Sequence, residues 1–314
     1  MGALLCPASL KGVLSARVAS AALARGVREA GADAVELPVA DGGEGTAEVL
    51  QAALGGEWHE TRVSDPLGRP VRARWLSLPD GRAVVEAAEA IGLPLLAPDE
   101  RDPLQASSRG LGELLLAALS SSPASLVVAL GGSATVDGGA GLREVVTTTL
   151  PVPTVVLCDV RTVLGDAARL FGPQKGASPA DVAALERRLG AMDELRPYST
   201  LPGSGAAGGL GAALAALGAE LVPGAKTVLD LVGFEARVSG CDLVVTGEGQ
   251  VDVTTAEGKA PGEIVARCAS RGVRCVVFGG RVAAEVEGAE SVALSGDPNR
   301  AERDLVELGR TLAT

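Results

Sequence analysis

Glycines crowd four short runs of this chain, and in three of them they are interleaved with acidic residues, a combination suited to chemistry on a phosphate. The runs are Asp41-Gly42-Gly43-Glu44-Gly45-Thr46, residues 131–141 (GGSATVDGGAG), 203–209 (GSGAAGG) and 246–252 (TGEGQVD). Glycine lets a backbone approach a ligand closely and aim its amides at it. The interleaved carboxylates mean that the ligand is not simply an anion. They require a bridging cation, most simply Mg²⁺ on a phosphate, or a proton to be removed. The chain reads as an enzyme acting on phosphates. The run at 131–141 is not a Walker A loop, because it lacks the closing Gly-Lys-Ser/Thr.

Phosphoryl transfer needs neutralised phosphate charge, an aligned acceptor hydroxyl and a carboxylate to take its proton. Asp41 and Glu44 flank Gly42 and Gly43 and could face the hydroxyl or Mg²⁺. Their spacing suits a helix capping box equally well. Lys11 supplies a point charge for phosphate, or is a solvated loop lysine. Gly131, Gly132 and Ser133 could cradle phosphate with Asp137 on the metal, or form a closely packed turn. Gln174 and Lys175 occupy a Gly-Pro-Gln-Lys-Gly turn, where a lysine contacts phosphate or merely solubilises. Glu248 and Asp252 are four apart and would share a face if helical, suiting paired metal or base roles, with Lys259 following. Ser108 either caps a helix or contacts substrate.

Composition removes other classes. Hydrophobic residues make up 47% but aromatics only 2%, so the core must be Ala, Val and Leu, and stacking platforms for single-stranded nucleic acid are lacking. A formal charge of -11 also argues against a nucleic-acid partner. The five cysteines form no C-x-x-C pair and read as small core residues in a reducing compartment. With His59 the only histidine, neither a Cys/His zinc site nor a Ser-His-Asp triad is expected. The N-terminus lacks a basic region and a long apolar run, and no stretch reaches the ~18 apolar residues of a membrane span. A cytoplasmic protein without membrane partner is expected.

These groups need a scaffold. Strands are predicted at 3–6, 34–39, 126–130, 154–160, 242–246, 273–278 and 291–294. Helices are predicted from Ser15 to about Ala30, then at 46–53, 112–119, 179–195, 210–217, 226–232, 263–269 and 301–312. Between them, 57–86 breaks into short alternating runs around Asp65-Pro66-Leu67-Gly68 and Pro79-Asp80-Gly81-Arg82, an antiparallel meander. The result is an α/β chain: a Rossmann-like parallel sheet domain at 1–56 and 226–314, with an inserted α/β domain carrying antiparallel strands at 57–225. Lys11 and Asp41 fall beyond carboxyl ends of strands, where open α/β sheets bind ligands.

Six stretches in order resemble the bacterial glycerate kinase family of the glycerate 2-kinase type. They are 38–46 (PVADGGEGT), 101–110 (RDPLQASSRG), 131–141, 171–177 (FGPQKGA), 203–211 (GSGAAGGLG) and 245–259 (VTGEGQVDVTTAEGK), spanning nearly the whole chain. The resemblance implies a two-domain glycerate-kinase-like fold with its site in the cleft between domains. It implies Mg²⁺-dependent transfer from ATP to D-glycerate, giving 2-phosphoglycerate. On it, Asp41, Asp252 and Lys11 are catalytic. Gly42, Gly43, Ser108, Gly131, Gly132, Ser133, Lys175 and Lys259 bind substrate or phosphate. Glu44, Asp137 and Glu248 hold metal. The chain departs from the family at Ala8, usually aspartate, at 161–163, usually Thr-Asn-Pro, at Gln250, usually arginine, and at Val253, usually polar; it is also shorter between 142 and 154. Another sugar acid as substrate, or metabolite binding without turnover, are the other readings; an oligomer is possible.

Overall fold

The computed structural model describes residues 2–158, 160–256 and 258–313. Asp159, expected in a strand, and Glu257, expected beside Lys259, lie outside the described residues. The chain opens with β1 (Gly2–Pro7), α1 (Ala16–Glu29), β2 (Asp33–Glu36) and α2 (Thr46–Leu54). It continues through β3 (Glu57–Ser64), β4 (Pro70–Ser77), β5 (Arg82–Glu86), α3 (Ala87–Ile91), α4 (Arg109–Leu119) and β6 (Ser125–Ala129). Next come α5 (Ala140–Val145), β7 (Thr154–Cys158), α6 (Ala167–Phe171), α7 (Pro179–Gly190), α8 (Ala206–Ala216) and β8 (Glu220–Pro223). It closes with α9 (Gly224–Leu231), α10 (Phe234–Val238), β9 (Leu243–Val251), α11 (Ala260–Ala269), β10 (Arg274–Val282), β11 (Glu290–Ala293) and α12 (Ala301–Leu312). These elements form two units, the first from the described residues of 1–41, 48–53 and 225–314, the second from 42–47 and 54–224.

The first unit carries a parallel sheet in the order β11-β10-β9-β1-β2. The central strands β1, β9 and β10 are apolar and buried over most of their first halves, as strands covered on both faces are, whereas the outer strands β2 and β11 each begin with an acidic residue and contain no buried residue. Leu5, Leu23, Val27, Val245, Val276, Phe278 and Leu305 are fully buried, each stabilising the unit by roughly 1.5–3 kcal/mol. Ser15 caps α1, its hydroxyl accepting from the Val18 amide at 3.3 Å. Glycines let α1 and α12 pack backbone to backbone: a methyl on Gly26 would lie 2.0 Å from the Val306 carbonyl oxygen.

The second unit carries a sheet in the order β3-β4-β5-β6-β7-β8, antiparallel through β5 and parallel beyond. The meander is where the sequence predicts it. Its first turn is fixed by Asp65, whose Oδ1 accepts the Leu67 and Arg69 amides, both at 2.8 Å. Trp75, Leu111, Leu114, Leu126, Val128 and Leu210 fill its core.

Several boundaries differ from expectation. The helix predicted to 195 stops at Gly190 and gives way to a 3₁₀ turn at Asp193–Tyr198. Ahead of Leu210, Ala207, Gly208 and Gly209 adopt φ values of 52°, 71° and 96°, a left-handed turn that helical periodicity does not reveal. The strand predicted at 242–246 runs on to Val251, so Glu248 lies in a strand and not in a helix. The elements at 87–91, 140–145, 167–171, 220–223 and 234–238 are too short for a periodic signal. Among the described residues no disulfide is formed, and Cys6, Cys158, Cys268 and Cys275 are buried.

Candidate functional site

In the second unit, three of the glycine runs meet at the carboxyl ends of β5, β6 and β7. The run that follows Asp41 lies across the end of β6, the Gly131 amide donating to the Gly42 carbonyl at 3.3 Å. A methyl on Gly131 would sit 2.4 Å from the Gly43 α-carbon, and one on Gly42 would sit 2.7 Å from Leu157 Cβ on β7. The 203–209 run closes the other side. A methyl on Gly203 would strike Cys158 Sγ at 2.8 Å, and one on Gly208 would strike the Thr135 carbonyl oxygen at 2.2 Å. No larger residue fits this stack of backbones.

Glu86, at the end of β5, is a residue of this junction that sequence reasoning missed. Its buried carboxylate accepts the Gly45 amide at 3.2 Å and the Ala47 amide at 2.5 Å, so it caps α2. A lone carboxylate closing an apolar strand was its available signal. The capping-box alternative for Asp41 and Glu44 is therefore incorrect, because the helix draws its cap from another strand. Among the described residues the Asp41 and Glu44 side chains accept no hydrogen bond. Glu44 Oε2 would lie 3.8 Å from a Cβ on Gly132, so its exposed carboxylate stands over the second run. The amides of Gly43, Glu44, Gly132 and Ser133 take no acceptor among the described residues, whereas the Gly131 amide is already spent.

Lys175 is buried and reaches under this loop, donating to Ser133 Oγ at 3.1 Å and to the Thr135 carbonyl at 2.8 Å. It arrives there because Gly176, at φ +99°, lies so close to the Arg101 backbone that a methyl would approach its carbonyl oxygen to 2.4 Å. The hydroxyl of Thr135 beside it is buried with no hydrogen-bond partner among the described residues.

Asp137 and Ser108 hold each other. Asp137 Oδ2 accepts from the Ser108 hydroxyl at 2.7 Å, the Ser108 amide at 2.9 Å and the Gly141 amide at 3.1 Å, and Oδ1 accepts from the Gly139 amide at 3.1 Å. The Ser108 hydroxyl in turn accepts the Leu142 amide at 3.0 Å. Asp137 is 1% exposed and Ser108 0%. With both oxygens occupied by protein donors, Asp137 has little left for a cation, and Ser108 has no surface for a substrate. Nor is Ser108 a side-chain cap for α4.

In the first unit, Lys11 and Asp41 follow the adjacent strands β1 and β2, and Glu248 lies within β9 on the other side of β1. The ladder persists past β2, the Val39 amide donating to the Pro7 carbonyl at 3.0 Å, and this leads the chain to Asp41. Lys11 is exposed in the turn after β1. Glu248 is not free: it accepts from Thr255 Oγ1 at 2.8 Å and pairs with Lys259 Nζ at 3.2 Å. Asp252 accepts from the Thr254 hydroxyl at 2.6 Å, the Thr254 amide at 2.9 Å and Gln250 Nε2 at 3.1 Å. The Thr254 hydroxyl, then its amide, hold the Asp252 carboxyl below the usual carboxylate range.

Among the described residues there is no group of three acids, histidines or cysteines placed to hold a metal. That donor set fits Mg²⁺ arriving with phosphates, which needs only one or two carboxylates. It does not fit an all-protein cage.

Sequence and fold comparisons point the same way. The model of the glycerate kinase family matches residues 3–150 and 143–296. A glycerate 2-kinase of Escherichia coli (strain K12) is 40% identical over 305 residues, 83% of this chain and 80% of that protein. A glycerate kinase of Bacillus subtilis (strain 168) is 38% identical over the same shares of each chain. A crystal structure from Salmonella typhimurium LT2, provisionally named glycerate kinase 2, matches with a TM-score of 0.85 at 32% identity, over 100% of this chain and 97% of that one.

Proposed function

The chain belongs to the glycerate kinase family, and from that premise we propose that it transfers the terminal phosphoryl group of ATP to D-glycerate, releasing ADP and 2-phosphoglycerate. The observation that carries this reading is the junction at the ends of β5, β6 and β7. There the 42–45 and 131–133 runs lie backbone on backbone over a buried lysine. Such a junction offers amides and a fixed positive charge to a phosphate without side chains in the way.

In this reading the amides of Gly43, Glu44, Gly132 and Ser133 take phosphate oxygens. Lys175 holds Ser133 in place and offsets negative charge from below. Asp41 takes the proton from the glycerate hydroxyl as its oxygen attacks the terminal phosphorus and the bond to the ADP oxygen breaks. Asp252 is the weaker candidate for that proton, since three hydrogen bonds stabilise its charged form. Lys11 supplies a mobile positive charge at the end of β1.

Mg²⁺ bound to ATP would neutralise phosphate charge. Glu44 and Asp41 are the carboxylates with capacity to meet it. Asp137 and Ser108 drop out of the metal and substrate sets because they satisfy each other inside the fold. Glu248 and Lys259, an ion pair, serve to order the segment after β9.

The test is purified protein with Mg-ATP and D-glycerate, followed by ³¹P NMR. A phosphomonoester signal matching 2-phosphoglycerate, growing as ATP falls, is the expected result. Unchanged ATP with the protein folded overturns the reading, and a 3-phosphoglycerate signal overturns its regiochemistry.

A further inference from the structure

Strand β3 is the outermost strand on one side of the second unit's sheet, paired with β4 along all of Glu57–Ser64. Two hydrogen bonds show which of its backbone groups look outward. The Ser64 amide donates to Glu113 Oε2 at 2.7 Å, and on β4 the Arg74 amide donates to Glu89 Oε2 at 3.1 Å. Both amides turn away from the partner strand. The pairs Ser64–Pro70 and Glu60–Arg74 are therefore of the non-hydrogen-bonded kind, and by alternation so are Arg62–Arg72 and Trp58–Leu76. The amides and carbonyls of Trp58, Glu60 and Arg62 consequently face outward, and among the described residues they have no partner.

This edge is long, and its guards are limited to the charged side chains of Glu57, Glu60 and Arg62. It contains no proline, glycine or lysine. Its charges are also incompletely paired. Arg62 lies directly opposite Arg72, where like charges repel. Arg72 is paired with Glu60 at 2.8 Å, and Arg62 has no acidic partner among the described residues.

We propose that β3 pairs antiparallel with β3 of a second copy of this chain, about a two-fold axis through Thr61. Only outward-facing residues can exchange ladder hydrogen bonds, which leaves two central registers. An axis at Glu60 sets Glu60 opposite itself. An axis at Thr61 sets Glu60 opposite Arg62 of the second copy, and by symmetry does so twice. That register gives each Arg62 the acid it lacks and places the two Thr61 side chains across from each other, a favourable cross-strand pair. The sheets of the two copies become continuous, and the strand edge is removed from solvent. Because a single ladder buries little surface, the dimer is a reversible one.

Sedimentation velocity of the full chain over a wide range of concentration tests this. A concentration-dependent monomer–dimer equilibrium is expected. Arg62→Pro removes an outward amide that β4 does not use, and should weaken association by roughly tenfold or more. Glu60→Arg and Arg62→Glu should each weaken it, while the double exchange restores it, with circular dichroism confirming that each variant folds. A wild-type chain that stays monomeric throughout overturns the proposal. So does a dimer that the single exchanges leave intact, or one that the double exchange fails to restore.

Discussion

The Gly43 α-carbon occupies the space where a side chain on Gly131 would begin, 2.4 Å from the position of its first carbon. Two loops far apart in sequence are thereby fixed to each other through their main chains alone. Gly131→Ala should push them apart, at a cost of about 1–3 kcal/mol. Because the amides of Gly43 and Gly132 belong to the same junction, a displacement of an ångström there should lower kcat/KM by roughly 10²-fold. Thermal unfolding and steady-state kinetics on this variant would expose the opposite result, a destabilised enzyme with intact turnover.

Asp137 and Ser108 make a contrasting pair, buried and turned on each other. Asp137→Ala should leave the Ser108, Gly139 and Gly141 amides without an acceptor and cost at least about 3 kcal/mol. Ser108→Ala should cost about 1–2 kcal/mol and leave the KM for glycerate nearly unchanged. A large rise in that KM with unaltered thermal stability would return Ser108 to the substrate site.

Much of this arrangement could be read from the chain itself, and the misses share a cause. The parallel strands, the meander and α1 with its Ser15 cap follow from local patterns of apolar residues and turn formers. What local pattern does not contain is the partner of a polar group. Asp41 and Glu44 have the spacing of a capping box, yet α2 takes its cap from Glu86, 41 residues from Gly45 in sequence. Asp137 in a glycine run looks like a metal ligand until Ser108 is seen to fill it from 29 residues away. Glu248 and Asp252 suggest a helical face, but pairing of Gln250 with Arg281 and of Val251 with Val282 holds that segment in β9. Spacing identified which residues are polar and constrained; tertiary hydrogen bonds show which of them already have partners inside the fold.

Lys175 separates binding from structure in a measurable way. Its ammonium sits under Ser133 and Thr135, within the loop whose amides are assigned to phosphate. Lys175→Met keeps the length of the side chain and removes the charge, and should lower kcat by about 10²-fold. Ser133→Ala removes only one acceptor for that ammonium and should lower kcat less. Equal turnover in wild type and Lys175→Met would make the lysine a packing element only.

The two candidate bases differ in what surrounds them, and pH distinguishes them. Thr254, through its hydroxyl and then its amide, lowers the Asp252 pKa in the folded chain. The stability this contributes is present above the unfolded carboxylate value of about 3.9 and is lost as pH falls through the folded value. Asp252→Asn should therefore flatten the acid side of the stability profile. A carboxylate held in its charged form by three donors is a poor proton acceptor. Asp252→Asn should thus reduce kcat by less than about tenfold, while Asp41→Asn should reduce it by roughly 10²–10⁴-fold. Were the reaction to use Asp252, the order of the two losses would reverse. If neither substitution slowed turnover, no carboxylate of these two would be the base.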